Sequence, residues 1–354
     1  MTNQQNLNGL NGNGNSNSNS DQQQKQKHKP IVLITGCSEH SLGHALALAF
    51  HDAGFWVFAT ARNVDRMGGD LRNKSESDIV CLKMDVCDQG SIEECVGRVR
   101  ELTSSSESSM SLQSETTGDG GRLDEQKEKG RLDILVNNAG GGYNMPVADI
   151  SIPDAKALFD LNVWSYISVT QAFLPLLINA ATTNTDGTES NRSPGAPSLI
   201  INNTSISSVE PTPHNSVYHA SKAAAAMFST HMRIELEPFN IRVVDLKTGC
   251  VHSRFHANHQ GGNASLPPGS IYSPVREQTE SAMRNAFPHR EDPHKWARDV
   301  VADIVGRRRN PPLEVWRGTG AWRTWFANTF FPVGWWDESW RRAVGLHRLR
   351  GMRK

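Results

Sequence analysis

Six short runs built around apolar, largely β-branched residues and separated by stretches of helical spacing most limit what this chain can fold into. Ile31 to Thr35 is the first, followed by a Gly and Ser turn and an apolar helical stretch from about Leu42 to Phe50. Phe55 to Thr60, after the helix-ending Gly54, and Ile79 to Met84, before Asp85, read as the second and third strands. Ser91 and Glu94 predict a capping box for a helix running to about Leu102. Leu132 to Val136, Ser198 to Asn203 and Ile241 to Leu246 supply three more strands. A long helix from about Pro153 to Asn179 and a helix around Tyr218 lie between them. Runs without polar alternation are buried on both faces, and strands alternating with helices specify a parallel sheet covered on both sides.

Two successive βαβαβ halves of this kind make an α/β fold, a Rossmann-type doubly wound parallel sheet, here in a single domain with surface insertions. The chain has 354 residues, enough for a substantial core. Residues 1–29 add nothing to it: they are Asn, Gln, Ser and Gly with a few Lys, a composition that predicts disorder. No apolar run near Met1 marks a secretory signal. Polar, low-complexity stretches at about 103–130 and 180–197 predict surface insertions. The folded unit is placed at 30–317, with a Gly- and Pro-containing loop at about 252–287 over any pocket and an aromatic, basic tail at 318–354.

Lys plus Arg and Asp plus Glu stand at 37 each, which argues against a nucleic-acid surface. Cys37, Cys81, Cys87, Cys95 and Cys250 are odd in number and lack C-x-x-C spacing, a pattern of reduced thiols in a cytoplasmic protein. His252, His256 and His259 have no Cys or carboxylate partner at ligand spacing, so no metal is expected.

Between the first strand and first helix, Gly36, Ser38, Leu42 and Gly43 belong to a turn whose glycines and helix N-terminus suit a pyrophosphate. After the second strand a carboxylate would bind the ribose 2′-hydroxyl of NAD, but Phe55 to Val64 contains none, and Arg62 there suits a 2′-phosphate. Asp65 is close by, so NADP is favoured over NAD without the choice being closed. Asn138, Ala139 and Gly140 follow the fourth strand at its carboxyl end, where ligands bind in open α/β sheets. Tyr218 and Lys222, four apart, share one helix face, so the ammonium is placed to make the phenol acidic. Ser205, thirteen residues before Tyr218 at the end of the fifth strand, has a hydroxyl that would donate to a substrate carbonyl oxygen beside that phenol.

The Gly turn, Asn138, Ser205, Tyr218 and Lys222, in that order, resemble the short-chain dehydrogenase/reductase family over roughly residues 30 to 255. The resemblance implies that Tyr218 moves the proton, that Lys222 lowers its pKa and holds the nicotinamide ribose, and that Ser205 orients the reacting oxygen. It likewise implies that Asn162 supports a proton relay through water and that Asp85 and Val86 contact the adenine. Asn138, Ala139 and Gly140 would flank the NADP(H) cofactor, and Val251 and Ser253, in the segment from Thr248, would meet its nicotinamide end. Two departures stand out. His40 and Ser41 occupy the place of a third turn glycine, and Thr248 stands where many members have proline.

Within the family, Thr35-Gly36-Cys37-Ser38, Phe58-Ala59-Thr60-Ala61-Arg62 and the tail are similar to fungal NADPH-dependent 1-acyldihydroxyacetone-phosphate reductases and to relatives in secondary-metabolite gene clusters. That likeness implies a hydrophobic, lipid-like or polycyclic ketone or alcohol as substrate. The alternative from another class is a cofactor-sensing or membrane-scaffolding protein without chemistry.

Six of the nine tryptophans fall between Trp316 and Trp340. Trp322, Trp325, Phe326 and Phe330 recur at helical spacing before Pro332, and Trp336, Trp340 and Val344 every four residues after it. Such stripes either cap the core or, with the six basic residues from Arg341 to Lys354, lie in an anionic membrane interface. The second case would make the protein peripheral on endoplasmic reticulum or lipid droplet. Association into a homo-oligomer is left open.

Overall fold

The apolar runs pair side by side in one parallel sheet of seven strands, in the order β3-β2-β1-β4-β5-β6-β7. The strands are β1 (Ile31–Ile34), β2 (Trp56–Ala61), β3 (Ile79–Lys83), β4 (Ile134–Asn137), β5 (Ser198–Asn203), β6 (Ile241–Thr248) and β7 (Glu314–Arg317). The computed structural model describes residues 29–75, 78–111, 130–183, 196–253, 264–284 and 289–352. All but the last residue of the expected disordered N-terminus, most of both insertions, and 254–263 and 285–288 of the pocket loop lie outside those residues.

Side chains alternate across each strand, so one sheet builds two cores. Val32 and Ile34 of β1 join Leu46 and Phe50 of α1 (Leu42–Asp52) and Trp296, Val300 and Ile304 of a later helix, Pro293–Val305. Ile31 and Leu33 join the opposite cluster, with Ile92, Val96 and Val99 of the helix Gln89–Ser111 and Phe173 and Leu177 of Ser165–Thr183. The chain steps from β1 out to β3 and then returns to β4 on the other side of β1, and the helices that follow β1 and β4 pack on opposite faces of the sheet at that switch point. A crevice opens there.

Two elements differ from their sequence expectations. The helix expected to be capped by Ser91 starts earlier, at Gln89: Asp88 Oδ1 accepts from Ser91 N at 3.1 Å, while the Ser91 hydroxyl accepts from Asp85 N at 2.9 Å. Its other end continues to Ser111, past the expected stop near Leu102. The long helix from Ile152 is interrupted by a π turn, Asp160–Trp164, before resuming at Ser165. One extra residue in a turn leaves the apolar spacing almost unchanged, so hydrophobic periodicity does not reveal it.

Candidate active site

The crevice is the mouth of a cavity of about 1190 Å³, lined from Gly36 and Arg62 at one end, past Asn138, Ser205 and Tyr218, to Met283 and Arg290 at the other. This exceeds the ~300–1,000 Å³ of ordinary small-molecule pockets, so a dinucleotide and a second molecule fit together.

Its floor is a chain of side-chain hydrogen bonds across the carboxyl ends of four strands. Thr35 Oγ1 accepts from the main-chain N–H groups of Asn138 and Ala139, both at 2.8 Å, and Asn138 Nδ2 donates to Thr35 O at 2.8 Å. Asn203 Nδ2 donates to Asn138 Oδ1 at 2.8 Å, and Thr248 Oγ1 donates to Asn203 Oδ1 at 2.6 Å. The same Asn203 accepts at its main-chain carbonyl from Lys222 Nζ and from Tyr166 Oη, each at 2.9 Å. Asn203 is therefore the hub that sets both the strand ends and the lysine. The departure at Thr248 has a consequence here, because a proline would have no hydroxyl to close this chain.

Tyr218 and Lys222 lie on the helix Ser216–Glu235. Lys222 is buried, 3.4 Å from Tyr166 Oη and 6.0 Å from the centre of the Tyr218 ring. Burial pulls its pKa down to about 8, against the charge of Asp245. The Ser205 hydroxyl bonds the Tyr218 phenol, accepts from Ser207 N at 3.1 Å and donates to Thr248 O at 3.3 Å. Desolvation raises the Tyr218 phenol to about 12, with the Ser205 contact opposing. Lys222 Nζ donates to the Asn203 carbonyl and to Tyr166 Oη, so the contact that opposes the effect of burial on the phenol here is the Ser205 hydroxyl. The phenol stays protonated at neutral pH.

Asn162 sits on the π turn, fully buried. Its Oδ1 accepts from Gly141 N and its Nδ2 donates to Gly141 O, both at 2.9 Å, while Nδ2 also reaches Ser221 Oγ at 3.0 Å. The amide is thus spent on fixing the glycine segment after β4 to the Tyr218 helix.

Of the residues expected at the cofactor, Gly36, Ser38, Leu42, Arg62, Val86, Asn138, Ala139, Gly140, Val251 and Ser253 line the cavity. Gly43 acts from behind it: a methyl group there would lie 2.5 Å from Gly36 O and 2.6 Å from Asn138 Nδ2, so only glycine allows the turn to close on the helix. Met84 and Val86 line the wall where Asp85 was expected, because the Asp85 carboxylate turns aside to accept from Cys87 N at 3.0 Å. His40 takes a left-handed φ of 62°, the conformation a glycine would supply, with its N–H donating to His44 Nδ1 at 3.2 Å. Its ring is largely solvent-exposed and does not line the cavity.

Arg66, Tyr166 and Asn203 were not singled out from sequence. Tyr166 lies four residues after Asn162 on one helical stretch, and that spacing was a usable signal, whereas Arg66 sits on the short turn Val64–Arg66 after Arg62 and has none.

The family model for short chain dehydrogenases matches residues 124–263. A short-chain dehydrogenase/reductase of Pestalotiopsis microspora is 39% identical over 90% of this chain and 95% of its own. The chain belongs to the short-chain dehydrogenase/reductase family. This enzyme is therefore an oxidoreductase of CH–OH groups. Another relative, the NADPH-dependent 1-acyldihydroxyacetone phosphate reductase of Schizosaccharomyces pombe, is 33% identical over 81% of this chain and 85% of its own. Among solved structures, a short-chain dehydrogenase from Streptomyces avermitilis superposes with a TM-score of 0.62 at 21% identity, covering 92% of this dehydrogenase and all of that chain. A second, from Burkholderia cenocepacia in complex with NADP, gives 0.55 at 18%, covering 85% and 93%. At these identities the structures share the fold.

The buried Lys222 of this dehydrogenase makes its stability depend on pH. Its folded pKa, about 8, is below its ordinary 10.5, so the unfolded chain binds that proton more tightly and the buried charge costs stability below about pH 8. The cost is relieved as pH rises toward 10.5. Compared with Lys222→Met, which carries no charge at any pH, wild type should gain on the order of 3 kcal/mol over that interval in urea unfolding. A difference that stays constant with pH would contradict the assignment.

Proposed function

We propose that the protein is an NADP(H)-dependent oxidoreductase that interconverts a ketone and a secondary alcohol on a hydrophobic substrate. The observation that carries this reading is the convergence of the Tyr218 phenol, the Ser205 hydroxyl and the Lys222 ammonium on one wall of a cavity whose far end holds Arg62 and Arg66.

Gly36, Ser38 and Leu42 would hold the pyrophosphate at the first helix, and Gly36 and Gly43 form a cradle that any Cβ would fill. Arg62 and Arg66 favour a 2′-phosphate, two guanidinium groups outweighing the single carboxylate of Asp65. NADP(H), when bound, supplies or takes up a hydride at the substrate carbon. Tyr218 handles the proton on oxygen, and Ser205 donates a hydrogen bond to the same oxygen. Lys222, fixed by Asn203 and Tyr166, places a positive charge beside the phenol and stabilises the phenolate left after donation. Asn162 fixes the Gly140 and Gly141 segment, and Val251 and Ser253 close the nicotinamide end.

The substrate half of the cavity is walled by Ile206, Ala264 and Met283, which favours a lipid-like or polycyclic ketone, as in fungal secondary metabolism. The resemblance to glycerolipid reductases gives a second reading, 1-acyldihydroxyacetone phosphate reduction. Arg284 and Arg290 in the same wall favour it, since a substrate phosphate needs cations. The reading from another class, a cofactor sensor without turnover, predicts tight NADPH binding and no consumption with any ketone.

Tyr218→Phe should lower turnover by at least about a thousandfold and leave the NADPH dissociation constant within a few fold. Retained turnover would rule out the proton role. Arg62→Ala should reduce the NADPH over NADH preference in kcat/KM by roughly tenfold or more, as expected for losing a charge-assisted phosphate contact. An unchanged preference would remove Arg62 from the cofactor site.

A further inference from the structure

The helix Ala321–Phe330 is built inside out. The side it turns to the protein carries small residues, Ala321, Thr324 and Ala327, all buried. The side it turns to solvent carries Trp322 at 67% exposure, Trp325 and Phe326 at 40%, and Phe330 at 63%. The loop that follows continues the same surface, with Phe331 at 42%, Val333 fully exposed and Trp335 at 47%. These rings touch one another in sequence, Trp322 with Phe326 at 5.7 Å, Phe326 with Phe330 at 4.9 Å, and Phe331 with Trp335 at 4.4 Å between centres, so they form one continuous shelf. A contiguous aromatic surface facing water is costly and marks a docking site.

The shelf is held in place. Thr324 Oγ1 donates to the Glu210 carboxylate in the cavity wall. Beyond the loop the polypeptide turns inward again: Trp336 and Trp340 are half-buried and Val344 is buried. Of the two readings of the tail, the stripe after Pro332 packs on the domain, whereas the stripe before it does not. From Gly318 to Lys354 there are seven Lys and Arg against two Asp and Glu, in a chain whose total charge is zero.

We propose that this shelf docks on an anionic lipid surface, with Trp322, Phe330 and Val333 entering the interface and the exposed Arg323 of the same helix meeting the headgroups. Trp and Phe on one face and excess positive charge around it are the chemistry of interfacial, non-spanning contact. The charge also selects against a second copy of the chain, since a two-fold contact would set the same cations against themselves. Among the described residues, the one stretch long and apolar enough to cross a bilayer is Ile152–Thr182, and half of that window is buried in the fold, so the contact is peripheral. The helix that carries the shelf touches the cavity wall through the Thr324 to Glu210 bond on its other face, which suits a substrate dissolved in lipid. That consequence rests on the oxidoreductase reading, whereas the docking itself does not.

The test is flotation of the full-length chain with phosphatidylcholine vesicles, with and without phosphatidylserine, comparing wild type with the double variant Trp322→Ser and Phe330→Ser. Thermal unfolding and reduction of a water-soluble ketone by NADPH serve as controls. Wild type should float with the anionic vesicles, lose binding at high salt, and bind at least about tenfold more tightly than the variant, whose unfolding is unchanged. If neither protein turns over the ketone, the catalytic reading fails while the flotation result stands. Docking on anionic lipid is overturned if wild type binds neither vesicle, if it binds both equally, or if the variant binds as well as wild type. It is also overturned if wild type sediments as a dimer that the variant splits, with no vesicle binding.

Discussion

The side chain and carbonyl of Asn203 hold together what the rest of the site depends on. The main-chain ladder of the parallel sheet ends at its carboxyl edge, where the crevice begins. The chain from Thr35 through Asn138 and Asn203 to Thr248 carries the linkage one residue further, with side-chain amides and hydroxyls in place of the ladder. Because Asn203 also accepts from Lys222 and Tyr166, the same residue that closes the sheet edge sets where the ammonium sits. A buried polar network of this kind is stable only when every member is satisfied, so its parts act as a unit.

The electrostatics follow from that arrangement. Fixing Lys222 by two oxygen acceptors compensates part of its burial, and Asp245 favours its charged form, yet desolvation still draws its pKa to about 8. Tyr218, buried beside it, moves the opposite way.

The strands from β1 to β6 were legible within a residue or two, because short runs centred on apolar, β-branched residues have few other uses. β7 and the helix Pro293–Val305 went unread: β7 is a short edge strand with only Val315 buried, and the helix follows a polar loop that gives no rhythm to extend. The predicted site residues Ser205, Tyr218 and Lys222 converge because each sits at a fixed offset on a strand end or a helix face. Asn203 was hidden for a physical reason. Its function is carried partly by a main-chain carbonyl, which every residue has, and partly by an amide whose partners lie 45 and 65 residues away. The outward-facing aromatic helix was ambiguous in sequence for a related reason, since spacing shows that a stripe exists and not which side of it meets the protein.

The most direct test of this account is Asn203→Ala, followed by NADPH titration and steady-state turnover on the folded protein. The main-chain carbonyl survives the change, but the bonds to Asn138 and Thr248 do not. The account predicts that NADPH affinity and kcat both fall by about tenfold or more, with the fold retained, as when one member of a satisfied buried network is removed. Affinity and turnover both equal to wild type would show that the strand ends are positioned without the Asn203 side chain.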